Sequence, residues 1–265
     1  MSLLKIENLH TYFETPKGLI KAVNGISFEL KKGKTLGIVG ESGSGKSQTA
    51  ISILKLFDKN QKIHQGKILF NNKEISKYNQ KEMEKLRGNE IAMIFQDALS
   101  SLNPVFKIKE QIIEILKLHK KINSLESEKK VFEILNKVKI NNVRRVMESY
   151  PHQLSGGMCQ RVMIAMALVC EPKLLIADEP TTALDVIIQQ EILNLINDLK
   201  KEIKTSILFI THDLGVVSQI VDDVIVMYKG KIVESGSIKN ILKNPKHEYT
   251  KSLLNNFLKT SFLNY

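Results

Sequence analysis

Cysteine is scarce in this 265-residue chain, which holds only Cys159 and Cys170. Both fall in a segment of helical character, without metal-ligand spacing and without a second pair, which excludes a disulfide framework and a thiolate metal centre. Long apolar runs are also missing. The longest, Val162 to Cys170, is less than half of what spans a bilayer. The first residues, Met1-Ser-Leu-Leu-Lys5-Ile-Glu7, carry charge where a signal peptide has its apolar stretch, so no export signal is read and a cytosolic chain is expected. Arginine is rare as well: Arg87, Arg144, Arg145 and Arg161 are the four, and lysine supplies the rest of the 39 basic residues that, against 28 acidic ones, give a net charge of +11. The lysines are scattered and no aromatic-basic patch accompanies them, so the charge reads as solvated faces and nucleic acid is not expected as a partner. What remains is a chain long enough to bury one large core, or a core with an inserted subdomain.

Strand and helix periods place that core. Leu4 and Ile6 alternate with Lys5 and Glu7, and Ile26, Phe28 and Leu30 alternate with Ser27 and Glu29, around turn chemistry at Thr15-Pro-Lys-Gly18. This predicts an antiparallel hairpin. Thr35 to Val39 reads as a short buried strand ending in glycines, followed by helical spacing from Gln48 to Phe57, and Gly66-Lys-Ile-Leu-Phe70 with Lys73-Glu-Ile75 forms a second antiparallel piece. From about Asp97 to Tyr150 apolar residues recur at helical period (Ile112, Ile113, Ile115, Leu116; Val131, Ile134, Leu135, Val138), the mark of a helical insert. Strand and helix then alternate: Lys173 to Ala177, Ile187 to Lys201, Ser206 to Ile210, Val224 to Met227. Such alternation implies a mainly parallel sheet covered by helices, hence an α/β fold.

Five motifs carry chemistry. Gly40-Glu-Ser42-Gly43-Ser44-Gly45-Lys46-Ser47 fits the phosphate-binding loop G-x-x-x-x-G-K-[ST] at every required position, after a predicted strand and before a predicted helix. Gly43 and Gly45 let backbone amides turn onto a phosphate, the helix start aims its positive end there, Lys46 adds a charge, and Ser47 can ligate Mg²⁺. We assign Gly40, Ser42, Gly43, Ser44, Gly45, Lys46, Ser47 and the adjoining Gln48 to nucleotide binding. A second motif, Leu174-Leu-Ile-Ala-Asp178-Glu179-Pro180, is a buried strand ending in two carboxylates, Asp178 for the metal and Glu179 for the attacking water. Alone, Asp-Glu-Pro is more often a solvated loop start; the upstream phosphate loop changes that reading. A third strand, Ser206 to Thr211, delivers His212 to the edge where open α/β sheets bind ligands, on the same sheet edge as Asp178, and Asp213 is a natural N-cap for the next helix. The strand Ile91 to Phe95 ends in Gln96, an amide able to reach Mg²⁺ or water, although a glutamine there means little by itself. Last, Ser155-Gly156-Gly157 opens a helix that is apolar on all sides; Ser155 reads blandly as its cap, yet the start is also a second anion site.

In this order the motifs resemble the ATPase subunits of ABC transporters over nearly the whole chain. The phosphate loop, Gln96, Leu154-Ser-Gly-Gly157, Asp178-Glu179, Ala183-Leu-Asp185 and His212 are similar to that family's Walker A, Q-loop, signature, Walker B, D-loop and H-loop. The resemblance implies a P-loop NTPase (RecA-like) core with a mainly parallel sheet, an N-terminal antiparallel β subdomain and an inserted helical subdomain. It implies an ATP-binding domain over residues 1–235, with the helical subdomain at about 97–157, and a tail over 236–265. The cofactors it implies are ATP and Mg²⁺, with Ser47, Gln96 and Asp178 as metal ligands, Lys46, Glu179 and His212 as catalytic residues, and Phe13, with Tyr12 as the alternative, stacking on adenine. Two such subunits pair head to tail, each ATP lying between one subunit's Walker A loop and the other's Ser155, Gly156 and Gly157, with Asp185 beside it.

The likeness narrows further. Ile94-Phe-Gln-Asp-Ala-Leu-Ser-Ser-Leu-Asn-Pro104, Tyr150-Pro-His-Gln-Leu-Ser-Gly-Gly-Met158 and Pro245-Lys-His-Glu-Tyr-Thr250 resemble the dipeptide, oligopeptide and nickel importers, and Met158 is similar to their D-type subunit. That implies a related F-type or E-type ATPase as partner, two integral membrane permease subunits, an extracellular substrate-binding protein, and a peripheral place on the cytoplasmic face of the membrane. The absence after Tyr265 of the cysteine-rich extension of many peptide-importing members leaves a nickel or metal-chelate cargo as the alternative. A soluble ABC ATPase acting on nucleic acid is the rival reading; such proteins usually fuse two cassettes or insert a long coiled coil, and neither is present.

Overall fold

The structure, a computed structural model, describes residues 1–182 and 184–262. The chain begins with strands β1 (Ser2–Thr15), β2 (Gly18–Lys31) and β3 (Thr35–Val39), helix α1 (Lys46–Leu54), strands β4 (Gln61–Phe70) and β5 (Lys73–Glu74), helix α2 (Gln80–Leu86) and strand β6 (Ile91–Ile94). Helices α3 (Ala98–Ser101), α4 (Ile108–Lys120), α5 (Ser124–Lys137), α6 (Val143–Glu148) and α7 (Gly156–Leu168) follow, then β7 (Leu174–Asp178) and α8 (Val186–Ile203). The chain closes with β8 (Ser206–Thr211), α9 (Leu214–Ile220), β9 (Asp223–Tyr228), β10 (Lys231–Ser237), α10 (Ile238–Lys243) and α11 (Glu248–Phe262). These form two units, residues 1–83 with the chain from Ser206 onward, and residues 84–205.

In the first unit β2, β1, β4 and β5 make an antiparallel sheet in that order. Its inner face is the alternating set Leu4, Ile6, Leu9, Val23, Ile26, Leu30, Ile68 and Phe70, all buried. Asn71 and Asn72 turn β4 into β5 with φ of 49° and 63°, the left-handed pair that matches strand twist in a two-residue hairpin. Beside this sheet, β8, β3 and β9 run parallel and β10 returns antiparallel on β9. Every residue of β3 and β8 is buried, as expected of parallel strands covered on both faces. Helix α11 starts where Glu234 of β10 accepts the N–H groups of Lys246 (2.8 Å) and His247 (3.0 Å).

In the second unit β6 and β7 pair in parallel, with Ile94 opposite Ala177. Helices α4 and α5 each bury one stripe, Ile108, Ile112 and Leu116 on the former and Val131, Ile134 and Leu135 on the latter. Helix α7 buries eight of its 13 residues, including both the polar Gln160 and Cys159. Cys159 and Cys170 are both buried, and burial pushes their thiols up, away from the reactive thiolate.

The α/β class is as expected: an antiparallel β subdomain precedes a core whose strand pairings are parallel apart from β9 with β10.

Candidate nucleotide site

The phosphate loop is shaped by contacts that tolerate only glycine at two points. At Gly40, φ is 155° and a Cβ would stand 2.2 Å from the Met227 carbonyl oxygen; at Gly45, φ is 103° and a Cβ would stand 2.4 Å from the Ala22 carbonyl oxygen. The loop is thus pressed against β9 and β2. Gly43 differs, with φ of 78° and no atom within 4 Å of its would-be Cβ, so the loop is open on that side. Gly230, in the β9–β10 turn, donates its N–H to the Ser44 carbonyl oxygen at 3.0 Å. Helix α1 begins at Lys46 with Gly45 as its cap. Lys46 is 4% exposed and its Nζ donates to the carbonyl oxygens of Gly40 (2.8 Å) and Glu41 (3.0 Å). The Ser44 hydroxyl is buried with no hydrogen-bond partner. A buried cation, a buried unsatisfied hydroxyl and a glycine cradle with open space above it fit a polyphosphate.

Two more sequence-selected residues join the loop in this unit. Val39 of β3 lies opposite Thr211 of β8, so Gly40 and His212 leave the same edge of parallel neighbours. His212 is exposed there, and Asp213 caps α9 by accepting the N–H groups of Gly215 (2.7 Å) and Val216 (3.3 Å). On β1, Thr11 Oγ1 meets Ser52 Oγ of α1 at 2.8 Å, so half-buried Phe13, two residues further on, lies on the face of the strand turned to that helix. Phe13 pairs with Gln61, whose amide donates to Gln48 of α1. Tyr12 is engaged elsewhere: its hydroxyl meets His10 Nδ1 at 2.7 Å and Asn24 Oδ1 at 3.2 Å, and its ring lies 4.7 Å from that of His64. Phe13 is therefore the aromatic with a face to offer beside α1.

The second unit assembles the carboxylates and the signature. Asp178 ends β7 at 7% exposure. Glu179 follows with φ of 47°, and its Oε2 accepts from Gln96 Nε2 (3.1 Å) and Thr182 Oγ1 (3.0 Å). The Gln96 carbonyl oxygen is left for a cation, and amide, hydroxyl and carboxylate oxygens are the hard donors that Mg²⁺ takes. Exposed Asp97 caps α3, and hydrogen bonds from the Ser100 and Leu99 N–H groups hold its carboxyl below the usual range. Ser155 caps α7 through the Met158 N–H at 3.4 Å, and Gly157 leaves only 3.1 Å between a would-be Cβ and Ile188. The buried Gln160 donates to the Pro180 carbonyl oxygen, tying the signature helix to the turn after Glu179. A cavity of about 220 Å³ opens between Gln96, Leu99, Leu154, Gly156 and Leu184. Asp185 caps α8 by accepting the Ile188 N–H at 3.0 Å. Ala183, which the sequence reading places in the D-loop, lies outside the described residues.

Two residues were not selected from sequence. Thr182 touches Glu179, and Tyr249 of α11 accepts the Glu41 N–H of the phosphate loop at 2.8 Å. Thr182 follows the carboxylates by three positions, a spacing that could have flagged it; Tyr249 sits in a segment used only for its resemblance.

A glycine loop that opens a helix at the end of a buried parallel strand, with an acid-ended strand and a Ser-Gly-Gly helix start, defines a P-loop ATPase cassette. The chain belongs to the ABC transporter family, which its residues 23–182 match, and it is an ATP-binding ATPase of that family. It is 50% identical over 253 residues to the oligopeptide transport ATP-binding protein OppD of Salmonella typhimurium, covering 96% of this chain and 75% of that one. It is 49% identical over 253 residues to the dipeptide transport ATP-binding protein DppD of Bacillus subtilis, covering 95% and 76%. Among solved structures, the ATP-binding cassette MJ0796, dimeric in a post-hydrolysis state with ADP and Pi, superposes with a TM-score of 0.80 at 27% identity over 89% of this chain and 99% of its own. No helix among the described residues is long and apolar enough to cross a membrane.

Proposed function

We propose that this chain is the ATP-hydrolysing subunit of an importer for oligopeptides or dipeptides. The observation that carries the reading is the phosphate loop, with Lys46 buried inside it, on a chain half identical to peptide-transport ATP-binding proteins. Lys46 and the amides from Gly43 to Gln48 hold the phosphates, with Ser42 and Ser44 adding hydroxyls, and Phe13 stacks on adenine. Ser47, Gln96 and Asp178 would hold Mg²⁺, which when bound would neutralise phosphate charge. Glu179 takes the proton of the attacking water and His212 contacts the terminal phosphate.

The assembly is a head-to-tail pair of cassettes, with Ser155, Gly156, Gly157 and Asp185 serving the nucleotide of the partner, a related F-type or E-type ATPase. Support comes from Val186 and Ile187, 82% and 73% exposed right after Asp185, which suit an apolar contact. Two permease subunits in the membrane and an extracellular binding protein complete the transporter, placing the chain at the cytoplasmic face. The cassette runs over residues 1–235, with the helical subdomain at about 97–157 and a C-terminal tail after it.

Cells lacking this chain are expected to lose uptake of a labelled tripeptide and to regain it from the parental gene but not from Glu179→Gln. Loss of nickel uptake with peptide uptake intact would overturn the cargo, and recovery of the native complex with nucleic acid and no membrane protein would overturn the importer.

A further inference from the structure

One peptide group of the phosphate loop is held at both ends. Its carbonyl, that of Gly40, accepts from Lys46 Nζ at 2.8 Å; its N–H, that of Glu41, donates to the Tyr249 hydroxyl at 2.8 Å. Tyr249 is itself fixed from three sides. Its ring lies 4.3 Å from that of Tyr228, the last residue of β9, two residues before the Gly230 N–H that holds Ser44. Its own N–H donates to His247 Nδ1 at 3.1 Å, and the Glu234 carboxylate accepts the N–H groups of Lys246 and His247. The first turn of α11 is therefore clamped onto the loop rather than merely lying near it.

The two grips do not survive nucleotide binding equally. An ammonium that turns to phosphate oxygens gives up the Gly40 carbonyl, and the peptide group then keeps only its N–H bond. Gly40 lacks a Cβ, so rotation of the Gly40–Glu41 peptide group meets little resistance from that residue. A rotated group would aim its carbonyl dipole where the loop needs none facing an anion. Resting on the reading of Lys46 as a phosphate ligand, we propose that Tyr249 is a positioning residue of the nucleotide site, its hydroxyl holding the Gly40–Glu41 peptide group while Lys46 changes partner. The C-terminal segment thereby takes part in ATP binding. Burial pushes the Tyr249 phenol up, so the hydroxyl stays neutral through the physiological range.

The test uses the intact transporter and Tyr249→Phe, which keeps the ring on Tyr228 and removes one oxygen. The expected result is a KM for ATP, and a Kd for a fluorescent ATP analogue, raised about three- to tenfold, as loss of one hydrogen bond allows, with kcat within about twofold and Tm unchanged. Parental KM and Kd overturn the proposal, as does a KM that rises only together with a fall in Tm. If the variant does not assemble, amide hydrogen exchange on the parental protein decides: Glu41 protected both with and without ATP supports the grip, and free exchange with ATP bound overturns it. Failure of the underlying reading looks different, since Lys46→Ala would then bind and hydrolyse ATP at parental levels whatever Tyr249 does.

Discussion

Gln96 donates its side-chain amide to Glu179 Oε2 at 3.1 Å, joining the end of β6 to the end of β7 through the carboxylate assigned to catalysis. The backbone of Glu179 is in the left-handed region, φ 47°, where a side chain with a Cβ is rarely placed without compensation. Its direction is thus set by an unusual backbone and by donors on one oxygen. Glu179→Gln keeps the shape and removes the base. Steady-state phosphate release is expected to fall by about 10² to 10⁴, the range for loss of a general base, while ATP still binds and a dimer accumulates on size exclusion. Release at the parental rate would remove Glu179 from the mechanism.

Thr182 Oγ1 donates to the same Oε2 at 3.0 Å. Thr182→Val preserves volume and loses that donor, while the Gln96 amide stays on the same oxygen. A kcat reduced about three- to tenfold at unchanged KM for ATP is expected, with Thr182→Ser restoring most of the rate. A variant with parental kcat would mean that Gln96 suffices.

Much of this site was legible because its determinants are local. The phosphate loop needs glycines at fixed offsets, and the strand before it and helix after it are visible in the same fifteen residues. Element ends were less legible. The helix predicted over Gln48 to Phe57 runs Lys46–Leu54, since Lys55 takes a left-handed conformation (φ 50°) that closes the last turn, and lysine carries no signal for that. The side of β1 that is turned to α1 shows only in the Thr11 to Ser52 contact, 41 residues apart, and the Tyr249 grip joins residues 208 apart. No period or spacing encodes such pairings; they arise when the sheet closes.

The glycines of the loop are not equivalent, and substitution separates them. Gly45→Ala puts a methyl group 2.4 Å from the Ala22 carbonyl oxygen at φ 103°, so β2 or the loop must move. Gly43→Ala meets only the left-handed backbone cost, about 1–2 kcal/mol, with open space around the methyl. ATP affinity is expected to fall at least tenfold for Gly45→Ala and by a smaller factor for Gly43→Ala, as read by titration calorimetry. The reverse order would show that the contact with Ala22 does not shape the loop.

The clamp on α11 should also respond to acid. Burial pushes the Glu234 carboxyl up, but its polar surroundings, the His247 and Lys246 N–H groups it accepts among them, more than reverse this and leave it below the ordinary glutamate value. A carboxyl whose folded pKa lies below its unfolded one contributes stability that is fully present above the unfolded value, about 4.3, and is lost as pH falls through the folded value. The parental protein is therefore expected to be more stable than Glu234→Gln at pH 7, with the gap closing as pH drops below about 4.5. Urea midpoints of the two proteins measured from pH 7 to pH 3 check this. A gap that persists at the acid end would mean that the Glu234 charge does not hold the start of α11, and that Tyr249 reaches the phosphate loop by packing on Tyr228 alone.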